Sequence, residues 1–304
     1  MSNIKRRVAS RQAGAKHFWP LAAAVAVPAV VAWAVLAAFG AAPPGLGTDP
    51  PLPDLRIPAY EVFPEEPAPT LPPIPLPETT DEKPLVAIII DDVGYHRVMA
   101  NRLIGLGPEL TLSILPGGPF AEEILGTARL MGMEILVHMP MEPREYPEID
   151  PGPGALLAEM TPAELMRRLN ANLDAVPGAV GVNNHMGSRL TARWPQMYQI
   201  LSVLRRRSLF FIDSQTSGES ICRGPARLLQ IPFARRDVFL DHDPTRESVR
   251  RQVRRLVRMA RRHGEAVGIG HPYGATFEVL SEMMDWLRES VQLVPASRIV
   301  HTIG

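Results

Sequence analysis

The sequence predicts an α/β domain built on a mostly parallel β-sheet. Apolar runs of strand length recur through the C-terminal part of the chain, and amphipathic stretches of helical length separate most of them. Buried strands that alternate with helices form parallel sheets, which are either open or closed into a barrel. The roughly 220 residues involved suit a single α/β barrel better than an open sheet.

Eight runs are predicted to be strands because they are short, apolar and rich in β-branched residues. They are LVAIII (85–90), LTLSIL (110–115), EILVH (134–138), AVGVNN (179–184), LFFID (209–213), DVFL (237–240), AVGIG (266–270) and VQLV (291–294).

Two of the intervening stretches carry clear helix signals. Thr161, Pro162 and Glu164 supply a cap residue, a proline at the first helical position and an acid in the first turn. In 247–263, apolar residues recur on one helical face and arginines fill the other. We interpret those arginines as the solvated face of an outer helix rather than as a polyanion site.

The chain ahead of this domain begins with a membrane signal. Residues 1–17 contain five basic side chains and no acid, and residues 18–40 contain no charge. An uncharged run of this length spans a bilayer, and the positive-inside rule keeps the basic tip in the cytoplasm. We therefore predict a transmembrane signal anchor over 18–40, in a single-pass protein of the bacterial inner membrane with a periplasmic C-terminal domain. A cleaved signal peptide is the alternative, because small residues follow the run.

A proline-rich linker, residues 41–84, is predicted to join the anchor to the domain at 85–304. Fourteen of the 32 prolines lie between Pro43 and Pro84, together with eight acidic and two basic residues. Proline fixes φ and removes a hydrogen-bond donor, so this composition predicts an extended, disordered segment.

The overall charge and cysteine content narrow the function. The 304 residues include 32 basic and 32 acidic side chains, giving a formal net charge of zero. This balance argues against a nucleic-acid partner, which requires a basic face. A single cysteine excludes an intramolecular disulfide and a Cys-based zinc module.

Polar residues stand at the carboxyl ends of several predicted strands: Asp91, Asp92, His138, Asn183, Asn184, His185, Asp213 and His271. Since these ends meet at one rim of a parallel sheet or barrel, the side chains are expected to converge. Carboxylate and imidazole ligands without thiolate are typical of a catalytic zinc or similar divalent ion.

Each of these residues also has a purely structural interpretation. Asp213 is as readily a cap or turn residue, and His138 or His185 alone is more typical of a hydrogen-bonded histidine in a core. The doublet Asp91-Asp92 is harder to explain in this way, because adjacent carboxylates at a core edge need a cation or a proton to offset them. The pattern as a whole therefore favours metal binding.

Six motifs then suggest a family: IIIDDVG, EILVHMPMEP, GVNNHMGS, FFIDSQT, RDVFLDHD and IGHPYG, in this order. They resemble the divergent polysaccharide deacetylase family, which is related to the NodB-type carbohydrate esterases. The resemblance covers about residues 84–300. It implies a distorted (β/α) barrel, and the relatives are metal-dependent enzymes that remove acetyl groups from N-acetylated sugars.

The resemblance also implies roles for individual residues. Asp91 would be the general base, Asp92 and His138 metal ligands, and His271 the general acid. Relatives carry a second histidine four residues after the first, where this chain has Glu142. His185 is the expected replacement ligand, and Zn²⁺ the expected ion. The arginine-proline-tyrosine signature of the wider superfamily is missing where NNHMGS stands.

Further roles follow from the chemistry of amide hydrolysis. A carboxylate such as Asp213 would hold His271 protonated. Gly187 and Ser188 would place a backbone N–H near the developing oxyanion, with Asn184 beside them on the substrate side.

The expected function is therefore metal-dependent deacetylation of a cell-envelope polysaccharide. One alternative is a catalytically inactive envelope module that uses the same fold to bind a glycan or a protein. A second alternative, a metal-dependent phosphoesterase, would need basic residues at the rim, for which Arg144, Arg189 and Arg235 are candidates.

Overall fold

A computed structural model of the chain describes residues 82–304. The predicted tip, the anchor at 18–40 and all but the last three residues of the linker lie outside the described residues, so the anchor stays a prediction. Within 82–304, no helix is long and apolar enough to cross a membrane.

Strands and helices alternate along this part of the chain. The strands are β1 Leu85–Val93, β2 Thr111–Ile114, β3 Glu134–Met141, β4 Gly181–Met186, β5 Phe210–Asp213, β6 Pro232–Arg235, β7 Val238–Phe239, β8 Glu265–Gly270, β9 Gln292–Leu293 and β10 His301–Thr302. The helices are α1 Arg97–Ile104, α2 Ala121–Leu130, α3 Pro162–Asp174, α4 Trp194–Arg206, α5 Arg223–Leu229, α6 Arg246–His263 and α7 Gly274–Ser290, with 3₁₀ turns at Leu190–Ala192 and Ala296–Arg298.

The strands form one sheet in the order β10-β6-β5-β4-β3-β2-β1-β8-β7, and β9 also pairs with β1. Every pairing from β6 round to β7 is parallel, whereas β10 is antiparallel to β6. Among the described strands no ladder joins β6 to β7, so the barrel is open there. The fold is thus a mixed α/β half-barrel, and the expected barrel is confirmed in this distorted, open form.

All eight predicted strands are present, with two differences that affect the site. β1 continues to Val93 and β3 to Met141. Asp91 and Asp92 therefore lie within a strand rather than just after it, and His138 lies inside β3 rather than at its last residue. Two short strands, β6 and β10, were not predicted. β6 begins at Pro232, a residue that sequence patterns read as a strand breaker.

The two faces of the sheet differ in what they bury. Outward-facing residues such as Ile88 and Ile90 pack into a large core shared with the helices. Inward-facing residues form a smaller apolar cluster, which includes Ile89, Leu136 and Ile269. Because side chains alternate along a strand, the next inward positions are Asp91, His138 and His271. The polar site therefore lies directly above a small apolar plug, at the carboxyl ends of the strands.

The helix signals in the sequence are confirmed. Thr161 caps α3, its hydroxyl accepting a hydrogen bond of 3.3 Å from the Glu164 backbone N–H. In α6 the apolar stripe from Val249 to Ala260 is buried, and arginines such as Arg254 and Arg258 are exposed. The arginine face of α6 is thus solvated.

Candidate functional site

The three predicted metal ligands, Asp92, His138 and His185, converge at the carboxyl ends of the strands of the half-barrel. Asp92 Oδ1 lies 3.1 Å from His138 Nε2 and 2.9 Å from His185 Nδ1, and the two ring nitrogens are 3.2 Å apart. Both imidazoles are buried, and the Asp92 side chain is 17% exposed. The three residues come from β1, β3 and β4. In the sheet, β3 and β4 are neighbours, and only β2 lies between β3 and β1.

A β-bulge in β1 explains how two adjacent aspartates face the same site. The register with β2 shifts between Ile90 and Val93, so β1 contains one extra residue. Within the bulge Asp92 has φ 54°, a left-handed conformation that costs energy for a residue with a Cβ. Regular alternation would point Asp92 away from Asp91, and the bulge turns it back toward the barrel interior.

The geometry of this cluster fits a divalent metal ion. Ligand atoms held about 2.0–2.1 Å from zinc lie about 2.9–3.4 Å from one another, which matches the three separations here. Asp92 Oδ1 is buried and lies close to both rings. Within the described residues, however, no donor is aligned well enough to form a hydrogen bond with it. Asp92, His138 and His185 together form a candidate three-residue metal site. These are the three ligands that the sequence predicts.

Asn183, which the sequence analysis left without a role, organises the site from below. Its Oδ1 lies 2.9 Å from His138 Nδ1, and its Nδ2 donates to Asp91 Oδ1 at 2.8 Å. The Ser113 hydroxyl also donates to Asn183 Oδ1, and Asn183 Nδ2 lies 3.2 Å from Ser214 Oγ. As Nδ2 is the donor, Oδ1 accepts from His138 Nδ1–H, which leaves the His138 Nε2 lone pair facing the cluster.

Asp91 lies beside this candidate metal site. Its Oδ2 is 3.7 Å from His138 Nε2, and the residue is almost completely buried. Burial raises the pKa of the Asp91 carboxyl, against the opposing effect of His138 and His271. Burial would also raise the pKa of Asp92, but the adjacent His185 and His138 rings hold it well below the ordinary value. The two neighbouring carboxylates therefore differ in proton affinity, as a base and a ligand should.

His271 faces the cluster from the opposite strand, β8. Its Nε2 is 3.9 Å from Asp92 Oδ2, and its Nδ1 is 2.9 Å from Asp241 Oδ1. Burial alone would lower the pKa of His271, but Asp241 raises it to about 9. The other Asp241 oxygen accepts from the His271 backbone N–H at 2.6 Å and from the Thr276 hydroxyl.

The prediction that Asp213 holds His271 protonated is therefore wrong, and Asp241 is the carboxylate in that place. Asp213 Oδ1 accepts from the Gln215 backbone N–H at 2.8 Å, and Oδ2 accepts from the Ser220 hydroxyl at 2.6 Å. Burial raises the pKa of Asp213, with these hydrogen bonds opposing it. Asp213 thus organises the turn after β5, which is its structural interpretation.

The predicted oxyanion residues have mainly structural contacts. Ser188 Oγ accepts from the Arg144 backbone N–H at 3.0 Å, and a Cβ added to Gly187 would lie 2.9 Å from the Met141 Cβ. Asn184 donates to Met186 O at 2.8 Å and accepts from the Ser214 N–H at 2.9 Å. The structure thus places Asn184 at the cavity wall but gives no support to Gly187 or Ser188 as oxyanion donors.

Glu142 and the three rim arginines are turned to other partners. Glu142 accepts from the Ala158 backbone N–H and lies 2.8 Å from Arg189 Nη1, so it takes no part in the candidate metal site. Arg144 pairs with Glu219, and Arg235 is exposed at the end of β6. The basic residue that reaches the cavity is instead Arg236, which the sequence analysis did not single out.

Asp91, His138, His185 and His271 share one cavity. It is lined by Asp91, His138, Asn184, His185, Met186, Ser214, Thr216, Arg236, Phe239, Ile269 and His271. The fold and the site together define a (β/α) half-barrel protein with a candidate metal centre at the carboxyl ends of its strands.

The chain belongs to the divergent polysaccharide deacetylase family, whose sequence profile matches residues 88–300. This confirms the resemblance drawn from the six motifs and its extent along the chain.

Named relatives agree with this assignment without adding an activity. The chain is 34% identical to the uncharacterized Escherichia coli protein YibQ over 216 residues, 71% of this chain and 67% of that protein. An uncharacterized Haemophilus influenzae protein is 36% identical over 209 residues, 69% of this chain and 74% of that one. The crystal structure of an uncharacterized Agrobacterium tumefaciens protein is similar, with a TM-score of 0.70 and 28% identity over 74% of this chain and 92% of that one.

Proposed function

We propose that the protein is a metal-dependent hydrolase that removes acetyl groups from an N-acetylated cell-envelope polysaccharide. The observation that carries the proposal is the placement of a buried carboxylate, Asp91, and a carboxylate-paired histidine, His271, around one candidate metal site. Family membership supports a glycan substrate. Zn²⁺ is the proposed ion because two imidazoles and one carboxylate are a common catalytic zinc set. The periplasmic location rests on the sequence of residues 1–84.

Asp91 acts as the general base in this proposal. An ion bound by Asp92, His138 and His185 would polarise the acetamide carbonyl and acidify a neighbouring water. Asn183 holds Asp91 Oδ1, so Oδ2, the oxygen nearer His138, is the one positioned to take a proton from that water. The raised pKa of Asp91 makes it a stronger base than an exposed aspartate.

His271 acts as the general acid. Asp241 fixes the Nδ1–H and keeps the ring cationic, so Nε2–H is left on the side that faces Asp92. When the C–N bond of the acetamide breaks, this proton passes to the departing amine. The two roles require Asp91 ionised and His271 protonated together, a combination that the opposite charges of the two groups favour.

The direct test is acetate release from N-acetylglucosamine oligomers by the full-length chain loaded with Zn²⁺. The wild type is expected to release acetate, and Asp91→Asn is expected to retain its metal but lose activity about 10²–10⁴-fold, the usual contribution of a general base. Equal activity of the two proteins would contradict the assignment of the base. Absence of acetate release from any N-acetylated glycan, with metal bound, would contradict the proposed function and favour a binding module.

Asn183 gives a separate prediction about metal affinity. Asn183→Ala removes the acceptor that orients His138 and the donor that holds Asp91, and loss of such an outer partner weakens metal binding about 10–100-fold. Asn183→Asp keeps an acceptor for His138 but places a second carboxylate against Asp91. We expect it to bind Zn²⁺ more tightly than Asn183→Ala, and its activity to need a higher pH, because like charge raises the pKa of Asp91. Competition with a chromogenic chelator and a pH–rate profile measure the two effects.

A further inference from the structure

Arg236 lies at the wall of the cavity and is fixed there by hydrogen bonds. Its Nε donates to Ser214 O at 2.7 Å, and its Nη2 donates to Gln215 O at 2.9 Å. The guanidinium carbon lies 4.8 Å from the centre of the Phe239 ring, within the range of a cation–π contact. Gln215 has φ 49°, a strained conformation within the turn that supplies one of these carbonyls.

No described carboxylate compensates the Arg236 charge in an ion pair. Its hydrogen bonds within 82–304 go to neutral carbonyl oxygens, and the nearby Asp213 carboxylate is bound to Gln215 and Ser220 instead. Burial lowers the pKa of Arg236, although a guanidinium stays charged at any physiological pH. Arg236 is half-buried, and Asp213, Asp91 and Asp237 favour its charge only from beyond ion-pair distance. An anionic ligand group that paired with the guanidinium directly would therefore add a charge-assisted hydrogen bond.

The unused part of the guanidinium has the shape of a carboxylate receptor. Nε and Nη2 lie along one edge, and the two carbonyls occupy that edge. The other edge, formed by Nη1 and the second N–H of Nη2, makes no hydrogen bond within the described residues. Two parallel N–H groups of this kind bind a carboxylate in a bidentate manner.

We propose that Arg236 binds a carboxylate of the substrate next to the acetamide that is cleaved. This inference rests on the proposed function and names its substrate class: N-acetylated amino sugars in which the same or the adjacent unit carries a carboxylate. Asp91, His271 and Arg236 line one cavity, so a substrate held between Asp91 and His271 lies against the wall that carries Arg236.

The test compares two substrates with the zinc-loaded, full-length chain. One is an N-acetylglucosamine oligomer, and the other is the same oligomer oxidised at C6 to a carboxylate. The wild type is expected to show at least about tenfold higher kcat/KM on the carboxylated oligomer, and Arg236→Gln to bring this ratio close to one, since a charged hydrogen bond contributes about 1.5–3 kcal/mol. Arg236→Lys keeps the charge but loses the fork, and should give an intermediate ratio. Arg235→Gln, at the exposed neighbouring residue, should leave the wild-type ratio unchanged.

The outcomes separate this inference from the proposed function. Acetate release with the same substrate ratio in wild type and Arg236→Gln would overturn the carboxylate site and leave the deacetylase intact. If neither oligomer is hydrolysed, calorimetry of both oligomers with the same variants decides: tighter, Arg236-dependent binding of the carboxylated one supports the site, and equal binding overturns it. A C6-phosphorylated oligomer that is preferred to the carboxylated one would also overturn the proposal, in favour of phosphate recognition.

Discussion

Replacement of His185 by alanine is expected to remove the bound divalent ion and to abolish acetate release. His185 supplies one of three ligand atoms that lie 2.9–3.2 Å apart, so its loss leaves only His138 and Asp92. We expect metal content to fall from about one ion per chain to less than about a tenth. The loss of activity should exceed the 10–100-fold that is typical when a residue that only orients a ligand is removed. Elemental analysis of the purified full-length protein and acetate release measure the two quantities.

Two control variants sharpen this test. His263→Ala alters an exposed histidine at the end of α6 and should keep both metal and activity. Glu142→Gln addresses the position, four residues after His138, where the resemblance to NodB-type enzymes implies a second histidine. It should keep the metal because Glu142 faces Arg189 and Ala158. Metal loss in Glu142→Gln, with metal retained in His185→Ala, would contradict the ligand set.

A stability measurement guards against simple misfolding of the His185 variant. Added Zn²⁺ should raise the Tm of the wild type, since a ligand that binds only the folded state stabilises it. His185→Ala should unfold in one cooperative transition whose Tm no longer responds to Zn²⁺. A variant that responds as the wild type does would show that His185 is not a ligand.

The convergence of the candidate ligands was predictable from two simple periodicities, and their roles came from the family resemblance. Inward-facing positions recur every second residue, and the carboxyl ends of parallel strands share one rim. His138 and His185 both obey these rules and pack over the inner apolar cluster. Asp92 could be recognised only because it forms a doublet with Asp91. The bulge that turns Asp92 inward leaves no recognisable pattern in the sequence.

The residues that were assigned wrongly or missed depend on strand order, which the sequence pattern does not contain. In the sequence, Asp213 and Asp241 both stand at the end of an apolar run, so either could be the carboxylate that pairs with His271. In the sheet, β7 is the neighbour of β8, so the residues just after β7 bring Asp241 to His271. Arg236, just after β6, was overlooked in favour of Arg235 because a short strand that starts with proline was not expected.

Asp241→Asn is expected to move the alkaline limb of the pH–rate profile to lower pH. His271 must be protonated to act as an acid, and Asp241 raises its pKa to about 9. Wild-type activity should therefore persist as pH rises through neutrality and be lost only at alkaline pH. Without the carboxylate charge the pKa of His271 falls, so the variant loses its activity at a lower pH than the wild type does. The difference is greatest, about 10²–10⁴-fold, at pH values where the wild-type ring is still protonated and the variant ring is not.

The chain offers a matched control for this change of charge. Thr276→Val removes the hydroxyl that donates to the same carboxylate, Asp241 Oδ2, but leaves the charge in place. It should keep the alkaline limb near its wild-type position, whereas Asp241→Asn shifts it. In Asp241→Asn, the oxygen of the new side-chain amide can still accept from the His271 backbone N–H, so the loop should stay folded. The NH₂ group of that amide then faces His271 Nδ1 and opposes its protonation. A titration of the His271 ring by NMR, in both variants, reports the pKa directly. An unshifted ring pKa in Asp241→Asn would remove Asp241 from the mechanism and leave Asp92 and Asp91 as the carboxylates that favour the charged form of His271.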